Sequence, residues 1–272
     1  MVEISLYNGD CLQVMKELPA QSVDLIICDL PYGCLNQGYR STGIHPQTTH
    51  PSQNISGASF SIPSCAWDIK INLEEFWKEV KRIRKNEHTP CIHFCTTKFG
   101  YDLIQSNPTE FRYDLVWNKE HGVSFLTANK MPMRSHEMIY VFSKAGAFYN
   151  RVDITGDFKA WDDTKRKEQR ISKCYGSGKN IHNTGGDGTR CALSVINMKK
   201  TASHKQAHPT EKSNALYRWL IERYCPVGGT VLDPTFGSGN SVFTAYDMGR
   251  NAIGIEMNEE FFNKAVERMN LP

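Results

Sequence analysis

The sequence predicts an α/β domain built on a largely parallel sheet, and three observations lead there. Short apolar runs without polar alternation, such as Val23–Cys28, fit strands covered on both faces. Capped helical patterns alternate with these runs, as they do in sheets flanked by helices. Near the C-terminus a strand runs straight into a glycine turn and a helix start, the arrangement that forms a ligand edge in open α/β sheets.

The elements follow in order. Glu3–Tyr7 reads as a strand ending at Asn8-Gly9-Asp10, and Cys11 to about Leu18 as a helix stopped by Pro19. The Val23–Cys28 strand delivers Asp29 to its carboxyl end. Gly33–Ala66 carries no acid, one basic residue (Arg40) and few apolar side chains, and is expected as a long mobile loop. Asn72 followed by Glu75 is a capping-box-like start for a helix to about Lys85. Thr89–Cys95 is the next strand and Lys98–Gln105 the next helix. Phe111–Trp117 and Glu137–Phe142 read as two further strands. Thr155–Ala207 has weak periodicity and several glycines, so a loop-rich insert is expected there. The α/β pattern then returns: a helix from Glu211 to Tyr224, strand Thr230–Leu232, helix Ser241–Met248, strand Ala252–Glu256, and a helix over 259–269 capped by Asn258.

At 272 residues and 40% hydrophobic content, the chain can build one large core. No apolar run reaches the ~18 residues of a membrane span. Met1–Ser5 lacks the basic and apolar segments of a secretory signal, so the cytoplasm is the expected location. Nine cysteines without a Cys-x-x-Cys pair fit a reduced compartment. Cys91-Ile92-His93-Phe94-Cys95 offers three ligand-type side chains, but no second ligand pair of finger-like spacing follows. Core thiols are expected there, and no metal.

Two motifs carry chemistry. Phe236-Gly237-Ser238-Gly239 sits between strand and helix, and Glu256 ends the following strand about twenty residues on. Glycines there admit close backbone approach, and an acid at that place suits ribose hydroxyls, so a nucleoside cofactor is expected. Neither a full Gly-x-Gly-x-x-Gly nor a Gly-Lys-Ser/Thr is present. The other motif is Asp29-Leu30-Pro31-Tyr32. It offers a carboxylate and a peptide oxygen as acceptors for an amine, a stiff turn, and a ring for stacking. Such acceptors make a delocalised exocyclic amine more nucleophilic; positioning and charge stabilisation supply the rest.

Asp233-Pro234-Thr235-Phe236-Gly237-Ser238-Gly239 resembles the S-adenosylmethionine motif of the amino-group DNA methyltransferases. Asp29-Leu30-Pro31-Tyr32 resembles their Asp-Pro-Pro-Tyr signature, with Leu30 in place of the first proline. His208-Pro209-Thr210-Glu211-Lys212 is similar to their His-Pro-Thr-x-Lys element. With the chemical motif first and the cofactor motif last, the chain resembles the beta-type, circularly permuted adenine-N6/cytosine-N4 enzymes of bacteria and phages. Glutamine-N5 methyltransferases share a similar tetrapeptide but carry their cofactor motif first.

That resemblance implies a Rossmann-like methyltransferase fold with a mixed seven-stranded sheet. Its catalytic half would span 1–154, a target-recognition insert 155–207, and its cofactor half 208–272. Asp29, Leu30, Pro31 and Tyr32 would be catalytic. The S-adenosylmethionine site would draw on Asp10, Cys11, Asp29, His208, Lys212, Asp233, Phe236, Gly237, Ser238, Gly239, Asn240, Ser241, Glu256 and Met257. Within it, Asp233 would face the donor's amino group and Asp10 its adenine. A base buried in a duplex must be flipped out to reach such a site. Adenine is favoured over cytosine, because the cytosine-N4 enzymes usually carry Ser where this chain has Asp29.

Charge agrees with a polyanionic partner. Residues 155–207 hold 11 Lys and Arg against 5 Asp and Glu, while the rest of the chain holds 21 against 24. Double-stranded DNA is the expected partner, with Trp117, Lys119, Arg134, Lys165, Arg166, Lys167, Lys199 and Lys200 as candidate contacts. RNA as substrate, cytosine-N4 methylation, and a catalytically silent cofactor sensor stay open as alternatives. So do a homodimer and a cognate restriction nuclease as partners.

Overall fold

The computed structural model describes residues 2–33, 70–123, 128–155, 189–201 and 211–269. The expected mobile loop, apart from Gly33, lies outside them, as do His208, Lys165, Arg166 and Lys167. Among the described residues no helix is long and apolar enough to cross a membrane.

The chain runs β1 (Ile4–Asn8), α1 (Cys11–Glu17), β2 (Leu25–Cys28), α2 (Leu73–Ile83), β3 (Cys91–Cys95), α3 (Thr97–Ser106), β4 (Phe111–Val123) and β5 (Arg134–Phe142). It continues with β6 (Ile154–Thr155), β7 (Thr189–Arg190), β8 (Val195–Asn197), α4 (Asn214–Tyr224), β9 (Thr230–Asp233), α5 (Asn240–Asp247), β10 (Asn251–Glu256) and α6 (Glu259–Met269). Strands β6 and β7 form a separate two-stranded ribbon.

The main sheet has the order β1-β10-β9-β2-β3-β5-β4-β8. Its first five strands are parallel, β5 runs against both its neighbours, and β8 lies parallel to β4. The mixed α/β sheet is thus as expected, but among the described residues it has eight strands rather than seven. The added strand, β8, comes from the segment expected to be wholly a loop-rich insert. Three residues are too few to show a period, and its place depends on pairing with Val116–Asn118 of β4.

The central strand β2 is buried along its whole length, which explains its unbroken apolar sequence. Leu25 and Ile27 join a core layer with Leu216, Leu220 and Ile221 of α4 and with Val242 and Ala245 of α5. Ile26 and Cys28 point the other way, into a layer with Met15 of α1, Phe76 and Val80 of α2, and Leu103 of α3. Alternate side chains therefore feed two hydrophobic layers, each fully buried Leu or Ile contributing about 1.5–3 kcal/mol.

Caps set the helix starts. Asn72 accepts from the backbone of Glu74 and Glu75 and begins α2, as its spacing predicts. Ser213 accepts from Leu216 N at 3.4 Å, so α4 starts at Asn214, three residues later than expected. Asn258 accepts from Phe261 N at 3.1 Å at the head of α6.

Candidate active site

Pairing of the two chain termini builds one side of the site. Strand β1 lies parallel to β10 with Asn8 opposite Glu256, and Gly9 N donates to the Glu256 carbonyl at 3.0 Å. This brings Asp10, the N-cap of α1, beside the acid that ends β10. Between β10 and β2 lies β9, whose exit is the glycine turn. All of these strands release their chains at the same edge of the sheet.

At that edge is a cleft of about 330 Å³. Asp29 and Pro31 line it from one motif, and Pro234, Thr235, Phe236, Gly237 and Ser238 from the other. Of the other expected donor-site residues, Asp10, Cys11, Lys212, Glu256 and Met257 line it as well. A volume of this size, with apolar walls and convergent polar groups, suits a small organic ligand.

The turn is held by named bonds. Gly237 has φ +54° and donates its N–H to Glu256 Oε2 at 2.9 Å. Glu256 Oε1 accepts from Asn258 N at 2.7 Å. Burial pushes the Glu256 carboxyl up, against these backbone donors. Gly239 caps α5 at φ +81°, where a Cβ would come within 2.4 Å of the Phe243 ring. These features fit a nucleoside ligand: backbone open on one side, a carboxylate at the strand end.

Four expected donor-site residues support the turn instead of facing the cleft. Asp233 is 1% exposed, accepting from Thr235 N at 2.9 Å and from Ser241 Oγ at 2.5 Å. Burial raises its carboxyl to about 7, with both hydrogen bonds opposing the shift. Its side chain braces the turn, so in this structure it does not face a donor amino group. Ser241 is its fully buried partner, and Gly239 is covered by Phe243. Asn240 donates to the Lys212 carbonyl at 2.9 Å and accepts from Arg268 at 2.7 Å.

In the chemical motif, Asp29 Oδ1 accepts from the Tyr32 hydroxyl at 2.8 Å, and Oδ2 from Lys212 Nζ at 2.6 Å. Burial and the Asp29 charge keep the Tyr32 phenol well above its ordinary pKa, so it donates. The Tyr32 ring lies 5.0 Å from that of Phe99. Leu30, which replaces the resembled proline, is 1% exposed and sits in the core layer of α1–α3.

Lys212 is expected from the resemblance in the donor site, and its ammonium sits on the chemical motif. It is 4% exposed at its side chain and bridges Asp29 to Glu137, with Glu137 Oε2 at 3.4 Å. Burial disfavours its charge, but the two carboxylates outweigh that and raise its pKa. Glu137 also pairs with Lys119; burial pushes its carboxyl up, and the two lysines bring it below the ordinary range.

Two candidate DNA contacts therefore sit elsewhere than expected. Trp117 is 1% exposed and donates from Nε1 to the Met198 carbonyl at 2.8 Å. Lys119 is buried over the Trp117 ring and committed to Glu137. Because β4 alternates, Leu115, Trp117 and Lys119 share one buried face. Lys199 is exposed, while Arg134 and Lys200 are half-buried.

Sequence alone does not single out Lys70, Ile71, Tyr217 or Phe261, which also line the cleft. Asn72 lines it too, and its only local signal is that of a helix cap. Beneath the site, Cys28, Cys91 and His93 place three ligand-type atoms within 4.8 Å of one another. Cys91 Sγ lies 3.3 Å from His93 Nε2, and the imidazole is ringed by Phe76, Trp77 and Phe142. Among the described residues no fourth ligand joins them.

Comparison with known proteins agrees with this geometry. A family model described as DNA methylase, N6_N4_Mtase, matches residues 23–267. The Type II methyltransferase M.ScaI of Streptomyces caespitosus is 23% identical over 275 residues, covering 98% of this chain and 81% of that protein. M.HinfI of Haemophilus influenzae, also a Type II methyltransferase, is 26% identical over 278 residues, covering 97% and 68%. Among solved structures, the cytosine-N4-specific PvuII DNA methyltransferase superposes with a TM-score of 0.62 at 14% identity, covering 99% of this chain and 88% of that one. The M1.HpyAVI–SAM complex gives 0.56 at 19% identity, covering 97% and 99%. With the model spanning all but the ends of the sequence, the chain belongs to the N6/N4 family of DNA methylases.

Proposed function

We propose that this protein transfers a methyl group from S-adenosylmethionine to the N6 amine of adenine, at a specific short sequence in duplex DNA, as a Type II modification enzyme. The observation that carries the reading is the single cleft lined by Asp29 and Pro31 on one side and by Phe236, Gly237 and Glu256 on the other. A donor and an acceptor site that share a wall satisfy the geometric demand of direct transfer.

The donor supplies an electrophilic methyl group when bound. Asp10, Cys11, Phe236, Gly237, Ser238, Glu256 and Met257 would hold it, with Glu256 toward its ribose hydroxyls. Asp29 accepts a hydrogen bond from the target amine, and a backbone carbonyl of the same tetrapeptide accepts the second. Localising the nitrogen lone pair in this way aims it at the methyl group. Tyr32 covers the flipped base, which must leave the duplex stack to reach so enclosed a site.

Cytosine-N4 methylation is the second reading, and the superposition on the PvuII enzyme favours it. The opening Asp29 favours adenine. Incubation with donor carrying a deuterated methyl group and mixed-sequence DNA, followed by nucleoside mass spectrometry, separates them. Labelled N6-methyldeoxyadenosine is expected; labelled N4-methyldeoxycytidine replaces the adenine reading, and absence of label in DNA overturns both.

A further inference from the structure

We propose that Glu137 is a positioning residue for methyl transfer, whose open Oε2 receives Lys212 when Asp29 turns to the target amine. The inference rests on the function proposed above and deepens it. Both Asp29 oxygens are engaged in this structure, Oδ1 by Tyr32 at 2.8 Å and Oδ2 by Lys212 at 2.6 Å. Each Asp29 oxygen therefore already holds one donor, and an amine seated against Oδ2 competes with Lys212 for its place.

Lys212 is the partner that can yield while staying paired. Its Nζ lies 3.4 Å from Glu137 Oε2, an oxygen that is buried and has no hydrogen bond among the described residues. Glu137 Oε1 is held by Lys119, so the carboxylate is anchored on one side and open on the other. A buried acceptor without a donor is costly, and closure of the ammonium onto it removes that cost. Releasing Tyr32 instead would strand a buried hydroxyl.

Charge balance permits the exchange. Asp29, Lys212, Glu137 and Lys119 form a row of alternating sign, the two lysines buried and the two carboxylates half-buried. The ammonium can pass from one carboxylate to the other without losing an anionic partner, a loss that in a buried setting would be expensive. Asp29 keeps the Tyr32 hydroxyl and takes the amine in place of the cation. The Phe94 ring lies 5.1 Å from Lys212 Nζ and flanks the cation. A raised pKa keeps Lys212 charged, so it moves as a cation and takes no proton from the amine.

The test pairs a variant with a structure. The double substitution Glu137→Gln with Lys119→Met removes one charge of each sign and takes the second carboxylate away from Lys212. Its single-turnover methyl transfer is expected to fall by roughly 10²-fold, with KM for DNA and donor affinity unchanged. A wild-type complex with S-adenosylhomocysteine and target DNA is expected to show Lys212 Nζ within hydrogen-bonding distance of Glu137 Oε2 and parted from Asp29. A folded double variant that transfers at the wild-type rate, or a complex with Lys212 still on Asp29, overturns the proposal. If the variant does not fold, the wild-type complex decides alone. Failure of the wild-type chain to methylate DNA overturns the functional reading and this inference together; wild-type methylation with Lys212 still on Asp29 overturns this inference alone.

Discussion

The Thr235 hydroxyl donates to the backbone carbonyl of Asp29 at 3.3 Å, across 206 residues of sequence. That bond ties the glycine turn to the tetrapeptide at the neighbouring strand end. It exists because β9 and β2 are adjacent and parallel, with Val231 opposite Leu25 and Leu232 opposite Ile26. Both strands end at the same height, so the residue after each exit falls into one cleft. The sheet register therefore sets the distance between donor site and acceptor site.

Asp29→Asn tests the chemical half of that arrangement. The substitution keeps shape and one acceptor oxygen but removes the charge that opposes Lys212 and that would polarise the amine. Methyl incorporation is expected to fall by about 10²–10³-fold, the usual loss when one electrostatic interaction at a reacting centre is removed. Donor affinity, measured by equilibrium dialysis, is expected to hold, because the turn residues are untouched. Transfer at the wild-type rate would remove Asp29 from the mechanism.

Asp233 gives the stability a pH dependence of definite sign. Burial raises its carboxyl from 3.8 to about 7 in the folded protein. A group bound more tightly by a proton in the folded state stabilises most below its unfolded pKa, and that contribution is lost as pH rises through about 7. In Asp233→Asn the group no longer titrates, and an amide can still meet Thr235 N and Ser241 Oγ. Thermal melts from acid to mildly alkaline pH should show the variant gaining on the wild type as pH rises from 3.8 to about 7, and the gain levelling off above that. A constant difference across that range would mean that Asp233 is already charged in the fold.

Much of this site is legible in the sequence because its parts are local. An unbroken apolar run predicts β2, and Asp29 follows from where that run stops. Glycines between a strand and a helix predict the turn around Gly237. What the sequence conceals is pairing at a distance. Trp117 at a strand end reads equally as surface or core until β8 covers it, with Met198 taking its indole N–H. Lys212 lies one residue from the start of a helix cap and shows nothing of Asp29, 183 residues away. Asp233 opens its motif, yet burial turns it inward to Ser241, because a carboxylate beneath a tight turn is needed to satisfy the turn's own donors.

Gly254 predicts how the donor side responds to packing. A Cβ there would lie 2.6 Å from Phe236 Cδ1 and 3.0 Å from both Leu6 and Val242. Phe236 is 4% exposed and lines the cleft, whereas Leu6 and Val242 lie in the packed layer. In Gly254→Ala the Phe236 ring is the neighbour under most pressure, and it has the cleft to move into. Overpacking of this kind costs about 1–3 kcal/mol, read as a lower midpoint in thermal unfolding. Donor affinity should fall as well, since the displaced ring narrows the site. Unchanged donor binding in the alanine variant would show that the strain is absorbed by Leu6 and Val242.

Lys199 and Lys200 test the DNA face independently of chemistry. They follow β8, which is parallel to β4, and β4 runs in the direction of β2 and β3. The two lysines therefore leave the sheet at the edge where Asp29 sits. Lys199 is exposed and Lys200 half-exposed. If each meets a phosphate, Lys199→Ala with Lys200→Ala should weaken binding to target and non-target duplexes alike. The slope of log affinity against log salt should shrink by ~0.9 for each phosphate no longer neutralised, while single-turnover transfer at saturating DNA stays near wild type. Fluorescence anisotropy over a salt series measures that slope. A slope identical to wild type would move the phosphate-binding surface elsewhere on the protein. A weakening confined to the target sequence would make these residues readers of bases.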